Sequence, residues 1–235
     1  MHEDATFTDP LLAQEWIRAI ESDMSGSRNE KIYPLLFQWT HDLAPQVVVE
    51  IGSGQGICSS KVDISNGSYI GIEPSSLLVA RAKELYSEKN KTFLIGDAYH
   101  LPPSDKSTDA VFSVGVWFHI KDLDTAHQEI ARILKPKGEL LIITANPETY
   151  DLWESWFQNP KKEGNKLEGA VLVPGGKLSR NIFYLHSEQE IRESLERNSF
   201  SIVSVDTFGS GKEHKQTRGI WMAIRATRTR GIEKG

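Results

Sequence analysis

The run VVVEIGSGQG, Val47 to Gly56, decides the fold. Its β-branched start makes a short apolar strand of the buried kind, and the strand stops abruptly at Gly52, Gly54 and Gly56. Glycine has no Cβ, so the chain can turn sharply there and lie close to a ligand. A helix is expected to follow, carrying Cys58 and offering unpaired N–H groups at its start. Taken alone, the loop has a plain alternative, a tight strand–helix turn that binds nothing.

Working outward, further strands are expected at Tyr69 to Ile72, Thr92 to Ile95, Ala110 to Val114 and Leu140 to Thr144. Helical spacing separates them. Ser75 can cap a helix bearing Leu78, Ala82 and Leu85. Asp122 or Asp124 can cap another bearing Leu123, Ala126, Ile130 and Ile133, which Pro136 stops. Such alternation predicts a parallel sheet covered on both faces.

Two amphipathic helices are expected upstream. One starts at Asp9-Pro10 with Leu12, Trp16 and Ile20; the other carries Ile32, Leu36, Trp39 and Leu43 and closes at Pro45. Downstream, 150–183 shows no clear period and reads as an insertion. Ser187 and Glu190 form a capping box before Ile191 and Leu195. Phe200 to Val205 and Ile220 to Ile224 are strands joined only by a loop, which predicts an antiparallel hairpin at the sheet end. The fold class is therefore α/β, a doubly wound Rossmann-like sheet of about seven mostly parallel strands with an antiparallel closing hairpin.

The 235 residues are 39 % hydrophobic and 25 % charged, an ordinary globular balance. With 27 basic and 32 acidic side chains, the net charge of −5 speaks against a surface built to grip a phosphate backbone, so nucleic acid is not an expected partner. A lone cysteine excludes an internal disulfide. The acidic start has no apolar leader segment, and no apolar run approaches the ~20 residues that span a bilayer, so a cytoplasmic protein without membrane contact is expected. The seven histidines show no ligand spacing and no cysteines pair, so no metal is expected.

Two more strand ends carry carboxylates. Glu73, twenty-one positions after Gly52, can accept both hydroxyls of a ribose. Gly96-Asp97-Ala98 sets a short acceptor beside a backbone N–H, which suits an adenine edge. A solvated strand end for Glu73 and a turn for Asp97 are the plain alternatives.

These motifs resemble the class I S-adenosylmethionine-dependent methyltransferases, in particular the small-molecule branch. VVVEIGSGQG is similar to the family's first motif, Tyr69 to Glu73 to its second-strand motif and Phe93 to Ala98 to its third. Leu101-Pro102, Asp109 to Val114 and Ile130 to Gly138 fit the family's later segments, with Lys137 standing where glycine is commoner. The likeness covers Gln46 to Ala145 well and the final strands more loosely. It implies S-adenosylmethionine as cofactor and S-adenosylhomocysteine as product. Gly52, Ser53, Gly54 and Gly56 would line the methionine moiety and ribose, with Glu50 beside them. Glu73 and the following Pro74 would meet the ribose, Asp97 and Ala98 the adenine, and Val114 the cofactor from the fourth strand.

A nicotinamide dinucleotide is the rival ligand. Its loop reads G-x-G-x-x-G, whereas this one reads G-x-G-x-G behind an acid, and Glu50 suits a sulfonium with an ammonium group better than a pyrophosphate. The implied organisation is a helical lid over 1–45, a cofactor-binding core over 46–149, an insertion or substrate cap over 150–183, and the rest of the core domain over 184–235.

Methyl transfer from a sulfonium needs positioning above all, and a base only where the acceptor must lose a proton. His119, just beyond the fourth strand, is the candidate base, with packing as its alternative role. Tyr33 is a candidate cover for the cofactor's methionine end. Trp16, Trp153 and Trp156 are candidate pocket or packing residues, and Arg180 and Tyr184 candidate acceptor contacts. Asn146-Pro147 follows the fifth strand and reads as a turn. The leading function is methylation of a small molecule by a monomer or homodimer. Methylation of protein or RNA, and a non-catalytic S-adenosylmethionine-binding module, are the alternatives.

Overall fold

The computed structural model describes residues 10, 13–15, 17–18, 28–173, 177–209 and 219–229. The expected first helix is helical at the described positions, but its apolar stripe of Leu12, Trp16 and Ile20 lies outside them.

The strands of the first motifs are β1 (Val47–Ile51), β2 (Ser68–Glu73), β3 (Lys91–Ile95), β4 (Thr108–Val114) and β5 (Leu134–Ala145). β1 lies between β2 and β4 and is parallel to both, with Val48 opposite Tyr69 and Ala110. A separate sheet holds β6 (Phe157–Glu163), β7 (Lys166–Val173) and β8 (Lys177–Tyr184), and β9 (Phe200–Phe208) and β10 (Trp221–Arg228) close the main one. Its order is β3-β2-β1-β4-β5-β10-β9, and β10 runs antiparallel to both β5 and β9. This is the expected seven-stranded sheet with its antiparallel closing pair.

Alternation along β1 sends Val48 to one side and Val49 to the other, and each side is buried under helices. On the first side lie α1 (Tyr33–Leu43), with buried Leu36 and Trp39, and α2 (Ser76–Tyr86), with Leu78, Val79 and Ala82 buried. On the second lie α3 (Leu123–Ile133), contributing Ala126, Ile130 and Ile133, and, beyond a one-turn α4 (Tyr150–Glu154) whose Trp153 joins a separate cluster with Phe118 and Phe157, α5 (Glu188–Arg197), contributing Ile191 and Leu195. The caps match the sequence: Ser75 accepts from Leu78 N, Asp122 from Thr125 N, and Ser187 and Glu190 close a full capping box. Each such cap contributes about 1 kcal/mol. Lys137 sits at φ +70°, which explains why glycine is the commoner residue at this turn.

Two segments depart from expectation. Only a four-residue 3-10 turn, Ile57–Ser60, follows the glycine loop, in place of a helix. Ser60 Oγ donates to Ile57 O, Ser65 donates to Asp63 Oδ1, and Asp63 N donates to Thr40 Oγ1 on α1, so side chains supply the partners that a helix would otherwise provide. The aperiodic 150–183 segment contains α4 and the antiparallel β6-β7-β8 sheet. β6 escapes notice because Phe157 is its lone buried residue, and Asn159 (φ +50°) with Pro160 falls where the β6–β7 register shifts. Among the described residues, no helix is long and apolar enough to cross a membrane.

Candidate functional site

The C-terminal ends of β1, β2 and β4 meet where the strand order reverses, the place at which open α/β sheets form a crevice. A cleft of about 470 Å³, its open mouth included, lies there, walled by Tyr33, Glu50, Gly52, Ser53, Gly54 and Val114 among the expected residues. Arg28, Gln55, Ile57 and Cys58 complete it. Gln55 lies within the first motif, between Gly54 and Gly56; the other three have no motif of their own. Arg28 arrives from a turn before α1, and Cys58 from the 3-10 turn that replaces the expected helix.

The glycines do different jobs. A Cβ on Gly52 would stand 2.3 Å from Val116 Cγ2, and Gly52 has φ +71°, so this glycine lets the loop pass beneath the segment after β4. Gly56 (φ +84°) faces Phe93 and Ala82, at 2.8 and 2.9 Å from its would-be Cβ; it packs the loop inward and does not line the cleft. Gly54 (φ +52°) has nothing within 4 Å of that position and leaves open space.

Two buried carboxylates stand at these strand ends: Glu50 lines the cleft, and Glu73, outside its wall, holds the glycine loop from behind. Glu50 accepts from the Tyr69 hydroxyl, and the Cys58 thiol also hydrogen-bonds to it. Burial raises its pKa to about 7 against those two bonds, and the nearby charge of Glu73 adds to the rise. Glu73 accepts from Gly54 N at 3.1 Å and Ser75 N at 2.9 Å, yet burial raises it also to about 7. Both acids are thus poised to ionise when positive charge or further donors arrive.

The remaining expected residues lie outside the cleft wall. Pro74 is exposed just beyond Glu73. Asp97 caps its own turn, its Oδ1 accepting from Tyr99 N at 2.8 Å and His100 N at 3.0 Å, and Ala98 is buried behind it. Gly96 N donates to Glu73 O, which ties this turn to the end of β2. His119 ends a short 3-10 turn after β4, and its amide donates to Val116 O at 2.7 Å. Its ring packs between Phe118 and Phe183, with Nδ1 buried and unpartnered. Burial lowers its pKa to about 4, against a hydrogen bond with the Ile182 backbone, so the ring is neutral at neutral pH.

The other candidates resolve into packing or pairing. Trp153 is buried against Phe118 and Trp221, with Trp156 tilted over it at 4.6 Å. Arg180 pairs with Glu168 across β7 and β8, and Tyr184 is buried and stacked on His186. Asn146 caps a turn by accepting from Glu148 N and donating to Gly219 O.

The fit to an adenosyl cofactor rests on three observations. Gly54 leaves its Cβ space open, and among the described residues Gln55 Oε1 lies buried on the cleft wall without a partner and the buried Glu50 carboxyl accepts from no cation. Residues with an amide-rich turn and two acids suit a ligand bearing hydroxyls and positive charge. Among the described residues, no three His, Cys, Asp or Glu side chains group as metal ligands.

Residues 49–142 match the family profile described as a methyltransferase domain. The chain is 27 % identical to the methyltransferase GfsG of Streptomyces halstedii over 59 % of its length and 51 % of that protein. It is likewise 27 % identical to a tRNA U34 carboxymethyltransferase of Ruthia magnifica, over 76 % of this chain and 53 % of that one. The chain thus spans about half the length of these curated relatives. Among solved structures, an S-adenosylmethionine-dependent methyltransferase from Clostridium acetobutylicum superposes with a TM-score of 0.68 at 11 % identity, covering 94 % of this chain and 98 % of that one.

Proposed function

We propose that this chain is a class I S-adenosylmethionine-dependent methyltransferase that binds its cofactor in the β1–β2–β4 cleft and methylates a small-molecule acceptor, a reading supported by the match of residues 49–142 to a methyltransferase domain. The observation that carries the proposal is the pair of buried acids, Glu50 and Glu73, flanking a loop whose Gly54 leaves open space.

When bound, the cofactor supplies a methyl group already activated on a sulfonium. This chain's own residues bind and orient. Glu73 would take the ribose hydroxyls on oxygens that Gly54 N and Ser75 N already orient. Glu50 would offset positive charge at the methionine end, where Tyr33 and the turn from Gly52 to Gly54 line the wall. Asp97, its turn fixed by its own Oδ1, would present the adenine end together with Ala98.

The β6-β7-β8 sheet contributes Phe157, Leu167 and Phe183 to an aromatic cluster with Phe118 and Trp153, which supports a role as substrate cap and excludes water from the region of His119. His119 is neutral, and its buried Nδ1 is the group available to hold an acceptor's proton. Charge also favours a small acceptor: on this cap Lys162 pairs with Glu154, and Lys166 and Arg180 both pair with Glu168. Such paired cations make a poor phosphate track.

Macromolecular acceptors remain the second proposal, supported by the tRNA-modifying relative, whose match extends over 76 % of this chain. Formation of S-adenosylhomocysteine across a panel of small phenols, amines and carbon acids, run beside bulk tRNA at rising salt, separates the two. Turnover on small molecules that ignores salt supports the first, and salt-sensitive turnover confined to tRNA replaces it with the second.

A further inference from the structure

Glu50 is not simply a buried acid on the cleft wall. Tyr69 stands beside it in the adjacent strand, fully buried, with its ring held against Phe93 at 5.6 Å and Phe112 at 6.5 Å. Its hydroxyl donates to Glu50 Oε2. Cys58 reaches the same carboxyl from the 3-10 turn on the other side. A phenol and a thiol, both buried and both with pKa values pushed up by burial, serve here only as donors.

We propose that Tyr69 and Cys58 are positioning residues: they fix the Glu50 carboxyl in one orientation and favour its ionised form, so that a cationic ligand enters this cleft with release of a proton from Glu50. The proposal rests on the assignment of S-adenosylmethionine to the cleft. Among the described residues, these charged and titratable groups surround Glu50. From β2 come Tyr69 and Glu73, and from the 3-10 turn Cys58, with Lys61 just after it; Tyr33 and Arg28 face the cleft from the N-terminal side. Lys61 lies 5.4 Å from the Tyr33 ring centre. Glu73 works against ionisation of Glu50, and Tyr69 and Cys58 work for it.

Removing the Tyr69 hydroxyl leaves the ring and its packing in place and takes one donor from Glu50. The carboxyl then holds its proton more tightly, and a cation must expel it at greater cost. The penalty on binding is therefore largest where Glu50 is protonated and shrinks as rising pH ionises it. A purely structural loss weakens binding alike at every pH.

The test is calorimetric titration of S-adenosylmethionine into wild type, Tyr69→Phe, Cys58→Ala and Cys58→Ser at pH 6, 7 and 8.5, in two buffers of different ionisation enthalpy. Wild type should release up to about one proton at pH 7, shared between Glu50 and Glu73, and Glu50→Gln, measured alongside, reads the Glu73 share. Tyr69→Phe should bind roughly tenfold more weakly at pH 7, as expected for losing a hydrogen bond to a charged group, and recover most of that at pH 8.5. Cys58→Ala should shift in the same direction, and Cys58→Ser, which keeps a donor, should stay close to wild type. If Tyr69→Phe does not fold, the cysteine pair decides alone. Equal losses at all three pH values, with wild-type proton release, overturn the positioning role while leaving the cofactor in place. No binding to wild type overturns the cofactor assignment and this role with it.

Discussion

Gly54 donates its backbone N–H to Glu73 Oε2 at 3.1 Å, so the turn after β1 and the acid at the end of β2 hold each other in place. Ser75 N occupies the other oxygen at 2.9 Å while its own side chain caps α2. One carboxylate thereby joins the glycine loop, the second strand and the start of a helix. A ligand hydroxyl arriving at Glu73 meets lone pairs whose directions are already set.

Glu73→Gln tests this arrangement. Glutamine has one acceptor oxygen where two amides need two, so its NH2 group must face a donor. Adenosyl ligands should bind roughly 10- to 100-fold more weakly, as for loss of hydrogen bonds to a charged group. Calorimetry on a sample with wild-type circular dichroism reads the change. Unchanged affinity removes Glu73 from the site.

Glu50 links the site to stability. Its folded pKa of about 7 lies above the ordinary 4.5, so between those values the native state holds more protons than the unfolded chain. Stability from this group is full below pH 4.5 and lost as pH rises through 7. Glu50→Gln should therefore leave the melting temperature unchanged near pH 4.5 and raise it at pH 8, by up to about 3 kcal/mol or roughly 6–12 °C. It should also weaken S-adenosylmethionine binding, because the amide cannot ionise. A melting temperature shifted equally at both pH values contradicts the burial argument.

A histidine network has the opposite sign. Trp117 donates its indole N–H to His127 Nε2 at 3.1 Å, His127 Nδ1 meets Ser194 Oγ at 2.8 Å, and Ser194 donates onward to Asp124 at 2.6 Å. Burial lowers the pKa of His127 to about 3, so its contribution is full above pH 6.5 and lost as pH falls toward 3. Ser194→Ala strands His127 Nδ1 and should destabilise by about 1–3 kcal/mol at pH 7 without changing ligand affinity. Thermal melts paired with calorimetry check it; a change in affinity alone contradicts a structural role.

The two loop glycines should separate folding from binding. Gly52→Ala drives a methyl into Val116 at a left-handed backbone position and should cost about 1–3 kcal/mol of stability. Gly54→Ala meets no protein atom, so it should lose only about 1 kcal/mol to its φ of +52° while weakening adenosyl-ligand binding more than tenfold by filling ligand space. Denaturant melts and calorimetry on both variants give the comparison. Equal binding losses per unit of stability contradict it.

The sheet was legible because β1, β2, β4 and the second half of β5 are largely buried and read as apolar runs, and because Ser75, Asp122 and Ser187 stand at helix starts. Glu50 and Glu73 were legible from their places at strand ends. The cleft's other wall was not. Arg28 and Cys58 reach it through chain topology, which no local spacing encodes. The expected helix after the loop failed because Ser60, Asp63 and Ser65 satisfy the backbone locally. The β6-β7-β8 sheet was hidden because polar residues fill β6, so its alternation carries no apolar signal.

The central claim is that this cleft holds S-adenosylmethionine. Calorimetric titration of wild type with S-adenosylmethionine and S-adenosylhomocysteine, with NAD as control, tests it most directly. The account predicts micromolar binding of both adenosyl ligands and none of NAD. A folded sample that binds neither adenosyl ligand, or that takes NAD in their place, contradicts it.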